Sequence, residues 1–209
     1  MRILIADDHA VVRRGLKQIL ADEFKQAQFG EAANAREALD RLRKENWDAV
    51  VLDITMPGRS GLEALKEIRE EKPKLPVLVL SMHPEDQFAV RVLKSGASGY
   101  MTKESAPEEL VGAIKKVLAG GRYVSPSLAE KMASYLAIDS PKAPHERLSD
   151  REFVVLRMIA SGKTVSQIAE ELSLSVKTVS TYRTRILEKT GMTSNAELTH
   201  YAIKNQLVE

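Results

Sequence analysis

Five polar side chains stand where apolar runs end. Asp7 and Asp8 close ILIADD, Asp53 closes AVVLD, Ser81 closes VLVLS, and Lys103 follows GYMT by one residue. A carboxylate desolvated without a partner is costly, so Asp53 at the end of a Val/Leu run implies company. Three carboxylates brought together repel one another and push their pKa values up unless a cation intervenes. Hard oxygen ligands suit Mg²⁺, an ion that keeps several waters and takes up phosphate oxygens. A carboxylate beside such an ion and a lysine is equipped to accept a phosphoryl group, because both cations balance charge on the transferring oxygens. One aspartate at a strand end is ordinarily a loop-capping acid; a constellation of five in one register points to chemistry.

That chemistry requires the five residues to meet, and the order of elements supplies the place. Residues 1–125 alternate apolar runs at 3–6, 28–32, 49–53, 77–81 and 99–102 with amphipathic helical stretches. In NAREALDRLRKE (34–45), Ala35, Ala38, Leu39 and Leu42 share one face. Ser105, Pro107 and Glu108 give the last helix of this half a capping-box start. Five strands alternating with five helices predict an α/β fold, a five-stranded doubly wound parallel sheet. The two most apolar strands, 49–53 and 77–81, should be central. Ligands of such sheets bind outside the carboxyl ends of the strands, near the point where strand order reverses. All five positions fall at that edge.

The second part of the chain differs. AGGRYVSP (119–126) breaks the alternation, residues 126–137 fit a short helix, and DSPKAPHE (139–146) reads as a proline-restricted linker. From Leu148 onward the signal is all helical. Capping boxes at Ser149/Glu152, Thr164/Gln167 and Ser194/Glu197, with a cap at Ser175, predict four short helices in a second, smaller all-α domain. Helices over 163–172 and 175–190, joined by a short turn, have helix-turn-helix spacing. On the second of them Val179, Ile186 and part of Tyr182 face inward, while Lys177, Thr181 and Thr184 face outward with Ser180 beside them. Segment 172–189 carries Lys177, Arg183, Arg185 and Lys189 against Glu188, a net +3 in a chain whose whole balance is +2. Short polar side chains permit close approach to a DNA groove and basic ones bind phosphate; the plainer alternative is a basic solvated helix.

Here the residues resemble known families. ADD after the first strand, LDITMPGRSGLE around the third, LS at the fourth and GYMTKE at the fifth resemble a response-regulator receiver domain. LSDREFVVLRMIASG and IAEELSLSVKTVSTYRTRILEKTGM resemble a LuxR-type helix-turn-helix domain, joined to a receiver as in the NarL/FixJ class. The KTVSTYRTR form is similar to the GacA and BvgA branches of that class. The resemblance implies a flavodoxin-like receiver over 1–122, a linker over 123–146 and a DNA-binding domain over 147–209. It implies Asp53 as phosphoacceptor, with Asp7, Asp8, Asp53 and the Thr55 carbonyl holding Mg²⁺ and Lys103 pairing with phosphoryl oxygens. Ser81 and Tyr100 would be the switch pair: Ser81 moves to bond the phosphoryl group and Tyr100 rotates inward behind it. An acyl phosphate brings up to about two negative charges and three acceptor oxygens, enough to bias the face formed by residues 85–119. Lys177, Thr178, Ser180, Thr181, Arg183, Thr184, Arg185 and Lys189 would contact DNA.

The implied partners are a sensor histidine kinase, double-stranded DNA with inverted-repeat promoter sites, a second copy of the chain on activation, and RNA polymerase. No enzymatic turnover is implied beyond self-phosphorylation and slow autodephosphorylation. Some positions depart from the family pattern. Glu104 follows Lys103 where many receivers carry proline, and a bond without proline favours trans. TVSQIA replaces the common SNKEIA, Ser180 a frequent lysine, and Tyr182 a common histidine.

Other chemistries are weaker. In haloacid-dehalogenase-type phosphatases, which also form aspartyl phosphates, a second Asp acts as acid/base where Thr55 stands, and threonine cannot do that near neutral pH. SGKT (161–164) echoes a phosphate loop, but the required glycine is Arg157, inside a helical pattern. Gly162 is better read as closing one helix and Thr164 as capping the next. His9, His83, His145 and His200 have no ligand spacing and read as solvated or structural. The absence of cysteine excludes disulfides and thiolate metal sites. No apolar run approaches the ~20 residues of a membrane span, and MRILIADDHA reads as a strand, so a cytoplasmic location is expected. The rival from another class is a protein-interaction module whose helical domain only dimerises.

Overall fold

In the computed structural model, described for residues 1–82, 85–130, 143–205 and 207–208, the apolar runs form one parallel sheet. Its strands are β1 (Arg2–Ala6), β2 (Gln28–Ala32), β3 (Ala49–Asp53), β4 (Val77–Ser81) and β5 (Gly99–Thr102). Their order is β2-β1-β3-β4-β5. β1 begins one residue earlier than its apolar run because Arg2 pairs with Gln28 of β2. β3 and β4 are interior and buried at every residue, which is why they show no polar alternation.

The strands alternate with α1 (Ala10–Glu23), α2 (Ala35–Lys44), α3 (Gly61–Glu71), α4 (Glu85–Lys94) and α5 (Ala106–Leu118). Leu16 and Leu20 of α1 and Leu110, Ile114 and Val117 of α5 pack with Ile3, Ile5, Val51, Leu78 and Leu80 over one face. From β1 the chain goes outward to β2 and returns on the other side as β3, so the order reverses between β1 and β3. The register sets Ala6 beside Leu52, Asp53 beside Leu80 and Ser81 beside Thr102, which brings the carboxyl ends level.

The loop after β3 folds back on that edge. A Cβ at Gly61 would lie 2.0 Å from the Asp53 carbonyl oxygen, so the close approach requires glycine. Ser60 and Glu63 then start α3 with a capping box that the sequence did not bring out. The box expected at Ser105 does not form. Ser105 has helical backbone angles and its hydroxyl turns to Thr102, leaving Pro107 to open α5.

The chain divides into two units, Met1–Ile138 and Asp139–Glu209. In the second, a 3₁₀ turn (Pro144–Arg147) precedes α6 (Asp150–Ala160), α7 (Val165–Glu171), α8 (Val176–Thr190) and α9 (Asn195–Lys204). Phe153, Leu156, Ile168, Val179, Ile186, Leu198 and Ala202 are among its buried side chains. The boxes at Ser149 and Thr164 form, and Ser175 caps α8 through the Thr178 N–H. At Ser194 only half a box forms, since the Glu197 carboxylate bonds Thr193 instead. Gly162, with φ +83°, ends α6 in a left-handed turn, as expected of a helix stop. Of the short helix expected over 126–137, residues 126–130 are helical; the remainder and linker residues 139–142 lie outside the described residues.

Candidate functional site

β1, β3 and β5 deliver Asp7, Asp53 and Lys103 to one point. Lys103 Nζ lies 2.6 Å from Asp7 Oδ2 and 2.7 Å from Asp53 Oδ2. Asp7 and Asp53 are each 1% exposed, so the pairing is dry. Asp53 Oδ1 accepts the Thr55 N–H at 2.9 Å, and the Lys103 N–H donates to the Ser81 carbonyl at 2.8 Å. Burial raises the Asp53 carboxyl above its usual range, and Lys103 and the Thr55 N–H only partly offset it. On Lys103 burial acts downward, but Asp53 and Asp7 outweigh it and hold the ammonium above its usual range.

One ammonium therefore serves two buried carboxylates while Asp8 stands beside them. The buried Asp8 Oδ1 accepts no hydrogen bond. Asp7, Asp8, His9 and Asp53 each offer a ligand atom, all within 4.8 Å of one another. Carboxylate oxygens short of positive charge are the donor set of a hard divalent cation, so the residues fit one. Thr55 is exposed at the rim, next to this cluster in sequence. Ser81 and Tyr100 are both fully buried, so the ring expected to turn inward on activation is already inside here. Among the described residues no peptide bond is cis, as expected where Glu104 replaces proline.

Sequence reasoning passed over His9. Its ring nitrogen Nδ1 lies 3.0 Å from Asp8 Oδ1 and 3.3 Å from Asp7 Oδ1. The signal was its place directly after the paired acids. His83 lies outside the described residues.

In the second unit, Lys177, Ser180, Thr181, Thr184 and Arg185 of α8 are exposed, and Thr178 and Arg183 are half-buried. Val179 and Ile186 are buried on the opposite face and Tyr182 half-buried, as expected. The Thr181 and Thr184 hydroxyls donate to carbonyls one turn back, on Lys177 and Ser180, and Arg183 Nε donates to Asn195. Lys189 is committed elsewhere: its ammonium donates at 2.6 Å to Glu152, which is 2% exposed. Burial pushes the Glu152 carboxyl up, but the bonds from Lys189 and Ser149 outweigh it and hold it below the usual range.

A depressed carboxyl contributes stability above its unfolded-state value that is lost as pH falls through the folded one. Lys189→Ala is thus expected to cost about 1 kcal/mol, roughly 5 °C in Tm for so small a unit. The difference from wild type should shrink in acid. If the side chain acted instead on phosphate, its removal would lower the salt slope of DNA binding by about one and leave Tm alone.

Comparison with known proteins fits this geometry. The family described as response regulator receiver domain matches residues 3–115, and bacterial regulatory proteins, luxR family, matches residues 146–202. The response regulator UvrY of Escherichia coli K12 is 37% identical over 99% of this chain and 95% of its own. Response regulator GacA of Pseudomonas aeruginosa is 39% identical over 100% and 98%. The chain belongs to the two-component response regulators with a LuxR-type domain.

Among solved structures, this response regulator is similar to RcsB of Salmonella enterica serovar Typhimurium bound to promoter rprA in the presence of phosphomimetic BeF₃⁻. The TM-score is 0.64 at 28% identity, covering 96% of this chain and 98% of that one. The regulator acts in phosphorylation-dependent control of transcription, through a receiver fold followed by a helical DNA-binding domain. No helix among its described residues is long and apolar enough to cross a membrane.

Proposed function

We propose that Asp53 is the phosphoacceptor, taking the phosphoryl group from a sensor histidine kinase or a small acyl phosphate. The observation that carries this is Lys103 shared by Asp7 and Asp53 at the reversal of the sheet. A Mg²⁺ ion would be held by Asp7, Asp8, Asp53 and the Thr55 carbonyl, and would balance charge on the transferring oxygens. Lys103 keeps its proton in the buried site and is placed to exchange an Asp53 oxygen for a phosphoryl oxygen. Ser81, at the end of the neighbouring strand, supplies the small hydroxyl that follows the new charge, with Tyr100 packed behind it. Slow loss of the phosphoryl group to water is the only turnover this arrangement supports.

The receiver occupies 1–122, the linker 123–146 and the DNA-binding domain 147–209. On α8 the DNA face comprises Lys177, Thr178, Ser180, Thr181, Arg183, Thr184 and Arg185, while Lys189 beyond its far end is engaged by Glu152. Phosphorylation promotes a dimer, whose two-fold symmetry selects inverted-repeat promoter sites, where the bound regulator meets RNA polymerase in the cytoplasm. The RcsB structure, holding a promoter with a phosphomimetic, is the neighbour that supports this reading.

The test is promoter affinity of the full chain with and without acetyl phosphate and Mg²⁺; equal affinities would sink it. Lys177→Ala is expected to weaken specific binding by about 1–3 kcal/mol, whereas Arg185→Ala mainly reduces the salt slope. Gel shifts across salt concentrations separate them, and full affinity in both variants would move the DNA face off α8. A wild-type chain that shifts no genomic fragment would favour a domain that only dimerises.

A further inference from the structure

His9 occupies the N-cap of α1, where Ser, Thr, Asp or Asn usually accepts a helix N–H. Its ring makes no such bond. The ring turns instead to the acids, with Nδ1 at 3.0 Å from Asp8 Oδ1 and 3.3 Å from Asp7 Oδ1. Neighbouring ligands of an octahedral ion at 2.0–2.1 Å stand about 3 Å apart. These spacings are those of ligand atoms that share one ion. Asp8 Oδ1 is buried and accepts no hydrogen bond although the ring nitrogen is this near. The ring nitrogen is within hydrogen-bond distance of Asp7 Oδ1, whereas it and Asp8 Oδ1 converge on one space without bonding each other.

Charge points the same way. Lys103 is engaged by Asp7 and Asp53, and Asp8 has no lysine or arginine in an ion pair with it among the described residues. A cation between Asp8 and His9 supplies what is lacking. We propose that His9 Nδ1 is a direct ligand of the cation at the acceptor site. One imidazole among carboxylates shifts preference from Mg²⁺ toward divalent transition ions, which accept imidazole where Mg²⁺ seldom does; Mn²⁺, the weakest binder of that series, is the probe. This rests on the acceptor-site reading above, and it adds a ligand that the paired acids and the Thr55 carbonyl do not include.

The full chain is titrated with Mn²⁺, bound ion being counted by electron paramagnetic resonance and nitrogen coupling read by its pulsed form. Wild type should show coupling to a directly bonded nitrogen. His9→Ala should lose that coupling and about tenfold in Mn²⁺ affinity, while Mg²⁺ affinity, read by competition, falls much less. The ring is 65% exposed, so its removal leaves no cavity. Asp8→Asn should weaken both ions. Bound Mn²⁺ that depends on Asp8 but shows no nitrogen coupling overturns the His9 ligand and leaves the acid site standing. Mn²⁺ binding indifferent to Asp8→Asn overturns the acid site and the His9 ligand together.

Discussion

Asp53→Asn is expected to leave a folded chain that no phosphodonor activates. The amide keeps the carbonyl oxygen that accepts the Thr55 N–H, and Lys103 keeps Asp7 as partner. What disappears is the carboxylate that attacks phosphorus, so acetyl phosphate with Mg²⁺ should add no phosphoryl group by intact mass. The affinity gain for promoter DNA should vanish with it. Stability should hold or rise. Burial raises the Asp53 carboxyl despite Lys103, so the ionised group costs stability above its folded-state titration, and that cost fades as pH falls through it. The Asn variant should therefore exceed wild type in Tm at neutral pH and lose the advantage in acid. Stoichiometric phosphorylation of Asp53→Asn would place the acceptor elsewhere.

Why Asp53 was legible and His9 was not follows from where each signal lives. Parallel strands buried on both faces must be continuous Val/Leu/Ile runs, so strand limits stand in the sequence, and the residue ending each run is delivered to the same edge. Lys103 and Asp53 are 50 residues apart yet meet because the topology leaves few alternatives. The helical domain was legible through its caps: Ser149, Thr164 and Ser175 accept the N–H groups their spacing implies. Ser105 shows the limit. Its spacing is right, but the Thr102 hydroxyl and carbonyl compete for its side chain, a contact set by how β5 enters α5.

Charge and family resemblance place Lys189 on a basic helix, but neither shows that Glu152, 37 residues earlier, claims it. His9 was set aside because isolated histidines lack ligand spacing, whereas its partners precede it directly and Asp53 arrives from another strand. Local pattern reveals what repeats or caps. Pairings made by tertiary packing emerge only when the ends of strands and helices are brought together.

Lys103→Met tests that convergence most severely. The side chain is 8% exposed and pairs with two carboxylates that are each 1% exposed. Methionine fills the space of the stem but strands both acids, and breaking a buried pair from one side costs about 3–5 kcal/mol. For the larger unit that is on the order of 10 °C in Tm. If the deficit is one of positive charge, a divalent cation should restore what the ammonium supplied. Mg²⁺ raises stability only through binding the folded state, so its effect on Tm should be larger in Lys103→Met than in wild type, where Lys103 already neutralises one charge. Lys103→Arg, which keeps the charge, should fall between them without Mg²⁺. Thermal unfolding of the three proteins with and without Mg²⁺ separates charge from shape. A loss in Lys103→Met that Mg²⁺ leaves untouched would mean that no cation sits among Asp7, Asp8 and Asp53, and would remove the physical ground for an acceptor at this edge.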